Sequence, residues 1–371
     1  MQELVKQTLI TCRHPPYKCY RIPCIVATAK GTIVTSFETR LSPADEDARG
    51  IGMMRSMDEG RTWSPMQVLV STDADQPLSS PVMVASRNGE VHFLYQLDGT
   101  RIFHCRSTDD AESFSEPVEI SSCFERLRDE TEFNLVFWTV GPGRGIELSD
   151  GTLLVPGYVV RDGAGSLTCT LVSEDAGENW RVGALVLPEN MAHSVGEPCA
   201  AELDNGAVMI NMRNNISIDG SSLYRAVSVS DKGGANFPPA TLDRNLPDPS
   251  CRAGMGGIRH PGLHGGGILF LGCNNTPCEE NGCNHARTNL TLRLSTDNGK
   301  TWKYSRYLEV VAGYADVTCS PDGRWVYCFY EQGKQIYEHG IWGVKELVFA
   351  RANLEWLTDG EIESNVDAGR S

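Results

Sequence analysis

The sequence predicts an all-β fold, a six-bladed β-propeller whose blades are four-stranded and antiparallel. Three observations support this prediction: a tight-turn pair recurs six times, an apolar strand follows each turn, and a second motif recurs in phase with the first. A fixed period of about 60 residues is typical of propeller blades. A propeller closes its blades into a ring, which limits the exposed sheet edges.

Each turn pair ends in glycine, and the glycines lie roughly 58, 62, 55, 61 and 56 residues apart. The pairs are Lys30-Gly31, Asn88-Gly89, Asp150-Gly151, Asn205-Gly206, Gly266-Gly267 and Asp322-Gly323. Asn-Gly and Asp-Gly favour type I′ hairpins because both central residues of that turn need positive φ. The segments that follow are short and rich in β-branched or large apolar residues. Only residues 353–358 suggest a helical turn.

The second motif is Ser-x-Asp-x-Gly-x-Thr-Trp, here called the Asp box. It is complete at residues 56–63 and 295–302 and weaker at 107–114, 173–180 and 230–237. Asp and Ser side chains bond the backbone of tight turns, Gly adopts positive φ, and the aromatic residue packs into the sheet. A calcium loop would need downstream ligands that are missing. The boxes are therefore interpreted as scaffold.

Composition favours one globular domain. The chain has 371 residues, of which 40% are hydrophobic and 22% charged, and no apolar run approaches the roughly 20 residues that span a membrane. We expect a single catalytic domain over residues 1–371, with its core at about 10–355 and a short C-terminal tail. The formal charge of −15 argues against nucleic acid and anionic membranes as partners. The sequence does not predict the oligomeric state.

The N-terminus lacks a charged segment followed by an apolar one, so no signal peptide and a cytoplasmic location are expected. A secreted protein whose leader had been removed would look the same. The 13 cysteines are odd in number and irregularly spaced, so we expect reduced thiols rather than a disulfide framework. Cys273, Cys278 and Cys283 lie near His285, but their spacing does not match the usual zinc sites, and no metal is predicted.

Three arginines lie at strand ends in different units of the repeat. Arg21 lies on the strand before the first turn, Arg213 ends the strand after the fourth, and Arg287 opens a strand in the fifth. In a propeller the inner strands end around one axis, so residues from different blades can meet there. Taken singly, each arginine would be read as a solvated charge or a structural ion pair.

An ordered set of motifs resembles the sialidase (neuraminidase) family over essentially the whole chain. The set comprises Tyr20-Arg21-Ile22-Pro23, the Asp boxes, Val140-Gly141-Pro142-Gly143 ahead of Gly145-Ile146-Glu147-Leu148, Glu197 followed by Glu202-Leu203, Asn211-Met212-Arg213 and Gly313-Tyr314-Ala315-Asp316. A single Asp box is weak evidence because unrelated propellers carry it, whereas the ordered set is specific. The resemblance implies an exo-α-sialidase similar to glycoside hydrolase family 33, without metal or organic cofactor.

The resemblance implies that Arg21, Arg213 and Arg287 bind the carboxylate of sialic acid. Guanidinium suits this role because its planar fork bonds a carboxylate bidentately and stays charged. Such a cluster would also supply the local positive charge that an acidic protein needs to bind an anion. Arg40 resembles an additional family arginine, and we expect it at the substrate carboxylate or beside Asp45.

The resemblance also assigns the catalytic residues. Tyr314 matches the nucleophile, since sialidases are an exception to the two-carboxylate scheme of glycosidases, and a neutral phenol avoids repulsion by the substrate carboxylate. Glu197 matches the base, and the arginines are expected to favour the phenolate. Asp45 is the predicted acid/base, although Glu46 and Asp47 leave that assignment open by two positions.

The function predicted from the sequence is hydrolysis of terminal α-linked sialic acid from a sialylated glycan. The same site would serve a trans-sialidase, an intramolecular trans-sialidase or a hydrolase of deaminated sialic acid. A non-catalytic glycan-binding propeller is the third reading, and it predicts losses among the site residues, all of which are present.

Overall fold

The computed structural model describes residues 1–12, 15–73, 75–191, 194–215, 224–231, 233–263, 265–274, 287–333 and 343–363. Within these residues the fold is all-β, with strands joined mostly to their sequence neighbours. In chain order the strands are β1 (Leu4–Thr11), β2 (Cys19–Ala27), β3 (Ile33–Arg40), β4 (Ala48–Ser56), β5 (Gln67–Ser71), β6 (Leu78–Ala85), β7 (Val91–Leu97), β8 (Arg101–Ser107), β9 (Val118–Glu119), β10 (Leu135–Val140), β11 (Gly143–Arg144), β12 (Ile146–Glu147), β13 (Leu153–Arg161), β14 (Gly165–Ser173), β15 (Arg181–Val186), β16 (Ser194–Glu202), β17 (Val208–Asn215), β18 (Tyr224–Val229), β19 (Thr241–Pro247), β20 (Gly254–Ile258), β21 (Gly267–Cys273), β22 (Thr288–Ser295), β23 (Tyr304–Cys319), β24 (Trp325–Gln332) and β25 (Glu346–Asn353).

Helical structure is scarce among the described residues. A 3₁₀ turn spans Asp45–Asp47, helix α1 spans Ser122–Glu130, and helix α2 spans Leu354–Leu357. The predicted helical turn near the end of the chain is confirmed by α2. Helix α1 was not predicted, because its nine residues are too short a stretch for a helical pattern to stand out in the sequence, although Phe124 is buried and Cys123 and Leu127 pack against the core. No described helix is long and apolar enough to cross a membrane.

The strands form five sheets in a propeller-like arrangement, and all their pairings are antiparallel except that of the short strand β11. Two sheets have four strands, β2-β3-β4-β5 and β16-β17-β18-β19. Two have five: β6-β7-β8-β9 gains the short parallel strand β11, and β10-β13-β14-β15 gains β12. The predicted four-stranded antiparallel blade is therefore confirmed as the unit of the fold.

The predicted count of six blades does not appear as six separate sheets. One sheet has seven strands, in the order β1-β25-β24-β23-β22-β21-β20. The reason is the length of β23, which has 16 residues and runs through two units without a break. Its first half pairs with β22 and its second half with β24. At the edge of this sheet, the first strand, β1, pairs with the last described strand, β25.

Six strands contact one another in a closed ring. Strand β2 contacts β6, β6 contacts β12, β12 contacts β16, β16 contacts β20, β20 contacts β23, and β23 contacts β2. At one end of these strands a cavity of about 340 Å³ is lined by residues 26–29, 85–87, 144–147, 202–204, 257–259 and 318–321, among others. The predicted site residues lie toward the opposite ends, since Arg21 is at the start of β2 and residue 26 near its end.

The Asp boxes form the turns expected of them. In the first box, Ser56 donates to Asp58, and the backbone N–H of Thr62 donates to the same carboxylate at 2.9 Å. These bonds hold the pKa of Asp58 near 2, with the Thr62 backbone N–H as the largest cause. The ring of Trp63 packs edge-on against Phe349 of another sheet, with ring centroids 5.0 Å apart. The boxes therefore close turns and connect neighbouring sheets.

Candidate active site

One chain of contacts joins the seven residues predicted for the site. By element they are Arg21 on β2, Arg40 at the end of β3, Asp45 in the 3₁₀ turn, Glu197 on β16, Arg213 on β17, Arg287 just before β22 and Tyr314 on β23. Every one of them has an ion pair, a hydrogen bond or a ring contact to another member of the set. Elements from three of the five sheets thus meet at one place.

The strands that carry three of these residues are interrupted at the site. Register shifts occur in β2 after Arg21, in β16 at Glu197 and in β23 around Tyr314. Ile22 and Glu197 adopt φ of 62° and 39°, and positive φ in a β-branched residue is a strained conformation. Because a bulge bends its strand and re-aims a side chain, these three side chains can converge instead of following the regular alternation.

Tyr314 is buried and hydrogen-bonded to a carboxylate and a guanidinium. Its hydroxyl donates to Glu197 and accepts from Nη1 of Arg213 at 2.8 Å, and the same Nη1 lies 2.6 Å from the second oxygen of Glu197. Burial and the Glu197 charge raise the pKa of Tyr314 well above its ordinary value, and this effect outweighs the arginines. The arginines thus favour the phenolate, as expected, but burial and the Glu197 charge outweigh them and favour the protonated phenol.

Glu197 is ionised in this arrangement. Burial would raise the pKa of its carboxyl, but the Arg213 guanidinium and the hydrogen bond from Tyr314 outweigh burial and leave the pKa below its ordinary value. The carboxylate therefore already accepts the proton of the phenol in a hydrogen bond. This is the geometry of a general base and the group that it deprotonates.

The three arginines surround the side chain of Tyr314, two of them at the ring and Arg213 at the hydroxyl. The guanidinium carbons of Arg21 and Arg287 lie 5.3 and 5.1 Å from the ring centroid. Ser250 holds two of the three arginines in place. Arg287 donates to its backbone carbonyl at 3.0 Å, and Arg213 donates to its hydroxyl at 3.2 Å. Three fixed cations at one point form a site for a carboxylate.

Glu331 is a site residue that the sequence did not reveal. Its carboxylate binds Nε and Nη2 of Arg21 at 3.0 and 3.3 Å and accepts the backbone N–H groups of Ile22 and Tyr314. Glu331 therefore orients one arginine and holds the bulges of β2 and β23 together. The only sequence signal is a charged residue directly after the apolar segment of β24.

Tyr158 also lies at the site without a sequence signal. Burial raises the pKa of its phenol, and the charges of Glu197, Arg213 and Asp45 also act on it. Its ring packs against Gly196, since a Cβ placed on Gly196 would lie 3.4 Å from the ring of Tyr158. It therefore lines the site beside Glu197.

Arg40 lies beside Asp45, which was one of its two expected positions. Its buried guanidinium donates to Glu38 and Asp45, the latter at 2.5 Å, while Nη1 of Arg21 lies 3.7 Å from Asp45. The side chain of Asp45 is 79% exposed. Partial burial raises its pKa, but Arg40 and Arg21 outweigh this and lower it. Asp45 is thus an exposed carboxylate at the mouth of the arginine cluster.

The neighbouring acid Asp47 has other partners. Asp47 accepts the hydroxyl of Ser42 and lies 3.7 Å from Arg49, and none of its recorded contacts is to an arginine of the cluster. Of the two aspartates that the sequence left open, Asp45 is the one in contact with Arg21 and Arg40.

Within the described ranges, no group of three or more His, Cys, Asp or Glu side chains could hold a metal ion. Cys278, Cys283 and His285 lie outside the described residues. The eleven described cysteines are free thiols.

Comparison with known proteins gives a family match and several curated relatives. A BNR repeat-like domain model matches residues 31–328. A sialidase of Micromonospora viridifaciens is 28% identical over 91% of this chain and 52% of its own length. A sialidase of Bacteroides fragilis is 26% identical over 76% of this chain and 54% of its own length. The chain spans about half the length of these curated relatives.

Solved structures share the fold. A Hadza microbial sialidase matches with a TM-score of 0.75 at 24% identity, covering 92% of this chain and 67% of that one. A leech intramolecular trans-sialidase matches with a TM-score of 0.76 at 16% identity, covering 96% and 71%. Because the domain model matches most of the sequence, this chain belongs to the BNR repeat-like domain family, and the curated relatives named above are sialidases.

Proposed function

We propose that the chain is an exo-α-sialidase, a glycoside hydrolase that releases terminal α-linked sialic acid from a sialylated glycan. The observation that carries the proposal is the Tyr314 hydroxyl, bonded to the Glu197 carboxylate and enclosed by three arginines. A phenol beside a base and three cations suits a substrate whose reacting carbon bears a carboxylate. The sialidase relatives support the same substrate class.

Substrate binding begins with the carboxylate of the sugar. In the proposed complex Arg21, Arg213 and Arg287 bond this carboxylate, which places the anomeric carbon near the hydroxyl of Tyr314. The positive cluster attracts the anion although the whole chain carries a formal charge of −15, because its charges are local and largely buried. Binding thus holds the anomeric carbon and the Tyr314 hydroxyl in a fixed geometry, which is the first contribution to the rate acceleration.

The first chemical step is attack by Tyr314 on the anomeric carbon. The phenol passes its proton to Glu197 while the new bond forms, because burial and the Glu197 charge raise its pKa and disfavour a standing phenolate. Asp45 gives a proton to the leaving glycosidic oxygen. Its pKa must rise for this role, and the bound carboxylate provides a cause, since it offsets the positive potential of Arg21 at Asp45.

The second step releases the product with retained configuration. Water attacks the anomeric carbon of the sialyl–Tyr314 intermediate, and Asp45 now accepts the proton of that water. Glu197 returns its proton to the phenolate that leaves. Each proton accepted in one half-reaction is returned in the other, so neither a metal nor an organic cofactor is required.

The alternative functions use the same site with a different acceptor or sugar. Transfer to a second glycan, transfer to a hydroxyl of the same sialic acid, and hydrolysis of deaminated sialic acid all begin with the same attack by Tyr314. The fold neighbours include intramolecular trans-sialidases. Proton NMR of the first product separates the cases: hydrolysis gives the α-anomer of the free sugar, and intramolecular transfer gives an anhydro sugar.

The experiment is a fluorogenic α-sialoside assay with Tyr314→Phe. Removal of the nucleophilic oxygen should lower kcat/KM at least about 10³-fold, by analogy with other covalent nucleophiles. Tyr307→Phe is the matched control, because Tyr307 is 50% exposed and has no recorded contact with the site. The proposal fails if wild type releases no fluorophore, or if Tyr314→Phe releases it at the rate of wild type.

We infer that the propeller has six blades in one domain. The closed ring of six contacting strands supports this count, as does a cavity lined by six separate segments. The seven-stranded sheet divides at β23 into two antiparallel four-stranded units, β20-β21-β22-β23 and β23-β24-β25-β1. With the other four sheets these units make six.

A further inference from the structure

The buried ion pair between Arg252 and Asp316 lies within the ring of strands and takes no part in the proposed reaction. Nη2 of Arg252 lies 3.3 Å from Oδ1 of Asp316, and both side chains are 0% exposed. Burial of two charges costs free energy that their attraction often fails to recover, so such a pair is weak evidence for stability alone. Its contacts indicate another role.

Arg252 ties together three separate segments of backbone. Its Nε donates to the carbonyl of Pro142 at 2.7 Å, and its Nη1 donates to the carbonyls of Ala315 and, at 3.5 Å, Pro23. Asp316 accepts the backbone N–H of Ile25 at 3.1 Å. The pair therefore connects β2, which carries the first arginine of the site, to β23, which carries the nucleophile.

Two glycines leave the space that the pair occupies. A Cβ on Gly143 would lie 1.4 Å from Nη2 of Arg252, and one on Gly254 would lie 2.6 Å from the Cα of Asp316. Gly143 also adopts a φ of 107°, which disfavours other residues. The motif at residues 140–143 thus has a physical purpose here: it turns the chain so that a carbonyl meets the guanidinium and no side chain displaces it.

The backbone of Tyr314 is held from both sides. The ladder between β23 and β24 is interrupted between Ala312 and Ala315, so regular strand pairing does not fix the nucleophile. Glu331 binds the N–H of Tyr314 at 2.9 Å, and Arg252 binds the carbonyl of the next residue. Loss of either bond would free one end of this segment.

We propose that the Arg252–Asp316 pair is a positioning device that holds the Tyr314 hydroxyl in line with the sugar bound by Arg21. This role rests on the proposed sialidase function. The pair touches neither the substrate nor the reacting atoms, so it acts through the backbone of β23. Displacements of about 1 Å from such a reaction geometry can cost about 100-fold in rate.

The first test uses the double variant Arg252→Met/Asp316→Leu, which removes both charges and keeps apolar volume. Such replacements of buried pairs are often neutral in stability, but here the carbonyls of Pro142 and Ala315 lose a donor. The thermal midpoint should therefore fall, and kcat is compared at a temperature at which both proteins are folded. We expect kcat on a fluorogenic α-sialoside to fall about 10- to 100-fold while KM changes less than about threefold. The pKa values of the pH–rate profile should stay unchanged.

The second test compares two glycines that both adopt a positive φ. Gly143→Ala places a methyl group on the Arg252 guanidinium, whereas Gly89→Ala, at a φ of 93°, meets nothing within 4 Å. Gly143→Ala should reproduce the loss of kcat, and Gly89→Ala should keep kcat within about twofold of wild type. A folded double variant with the kcat of wild type would overturn the proposal.

A readout without substrate separates this proposal from the proposed function. With tyrosine labelled at the ζ carbon by ¹³C, the Tyr314 signal is the one lost in Tyr314→Phe. In the double variant this signal should shift and broaden, because the phenol no longer holds one position against Glu197. An unchanged signal would contradict the proposal even if wild type cleaves no sialoside, and wild-type turnover independently tests the sialidase function.

Discussion

At the residue scale, the site separates the proton affinities of three acids that lie close together. Burial and the charge of Glu197 raise the pKa of Tyr314, whereas Arg213 outweighs burial and lowers that of Glu197. Asp45 is exposed, and Arg40 together with Arg21 lowers its pKa against the effect of partial burial. Each group thus has the protonation state that its proposed role requires, except Asp45, which needs the substrate to become an acid.

A pair of isosteric variants tests the role of Asp45. Asp45→Asn should lower kcat/KM about 100-fold or more on an alkyl α-sialoside, whose leaving oxygen needs a proton, and much less on an aryl sialoside with a good leaving group. Asp47→Asn is the control two residues away and should keep activity within about threefold on both substrates. Equal losses for the two variants, or no dependence on the leaving group, would remove Asp45 from the acid/base role.

The pH dependence of activity follows from Glu197. Its lowered pKa keeps the base ionised as the pH falls through the ordinary glutamate range near 4.5, so this group should not limit kcat/KM until lower pH. Glu197→Gln leaves the phenol proton without an acceptor, and kcat/KM should fall about 100- to 10⁴-fold. Glu309→Gln, outside the cluster, serves as the control. A kcat/KM for Glu197→Gln near that of wild type would exclude the base role.

At the scale of elements, β-bulges and inter-sheet packing decide what each strand does. The sequence identified the strands and the turns because their signals are local. It did not reveal the bulges at Ile22 and Glu197, because a positive φ in a strand arises from tertiary contacts such as the Glu331 carboxylate. Glu331 was missed for the same reason: its partners lie 310 and 17 residues away in sequence.

A buried histidine pair at the border of two sheets predicts acid sensitivity. Nδ1 of His92 on β7 lies 3.1 Å from Nε2 of His104 on β8, and Trp180 of another sheet's Asp box packs on His104. Burial lowers the pKa of His92 to about 4 and that of His104 to about 3. Both folded values lie below the unfolded value of about 6.5, so stability is fully present above pH 6.5 and falls as the pH drops toward 4.

Thermal unfolding between pH 7.5 and pH 4 measures this effect. His104→Phe removes one titrating group and keeps a ring against Trp180, so its stability should depend less steeply on pH, by up to about 1.4 kcal/mol per pH unit below 6.5. Above pH 7 wild type and variant should have the same slope. Identical slopes between pH 6 and pH 4.5 would exclude the pair as a cause of acid sensitivity.

At the scale of the whole molecule, the repeat positions residues that do not themselves repeat. Arg21 and Tyr314 are 293 positions apart in the sequence, yet their side chains are in contact. The all-β propeller-like fold could be predicted because turn chemistry is visible in the sequence, and the ordered motif set indicated seven residues that the fold brings into contact. The number of separate sheets could not, since the unbroken course of β23 depends on packing and not on any turn signal.

The proposed covalent intermediate on Tyr314 offers the most direct test of the whole account. A fluorinated sialosyl fluoride with slow turnover should accumulate on the enzyme, and mass spectrometry of the quenched digest should show one sialyl group on the peptide that contains Tyr314. The adduct should be absent in Tyr314→Phe and should decay when excess acceptor is added. Turnover without any adduct on this peptide, or an adduct on Asp45 or Glu197, would contradict the account.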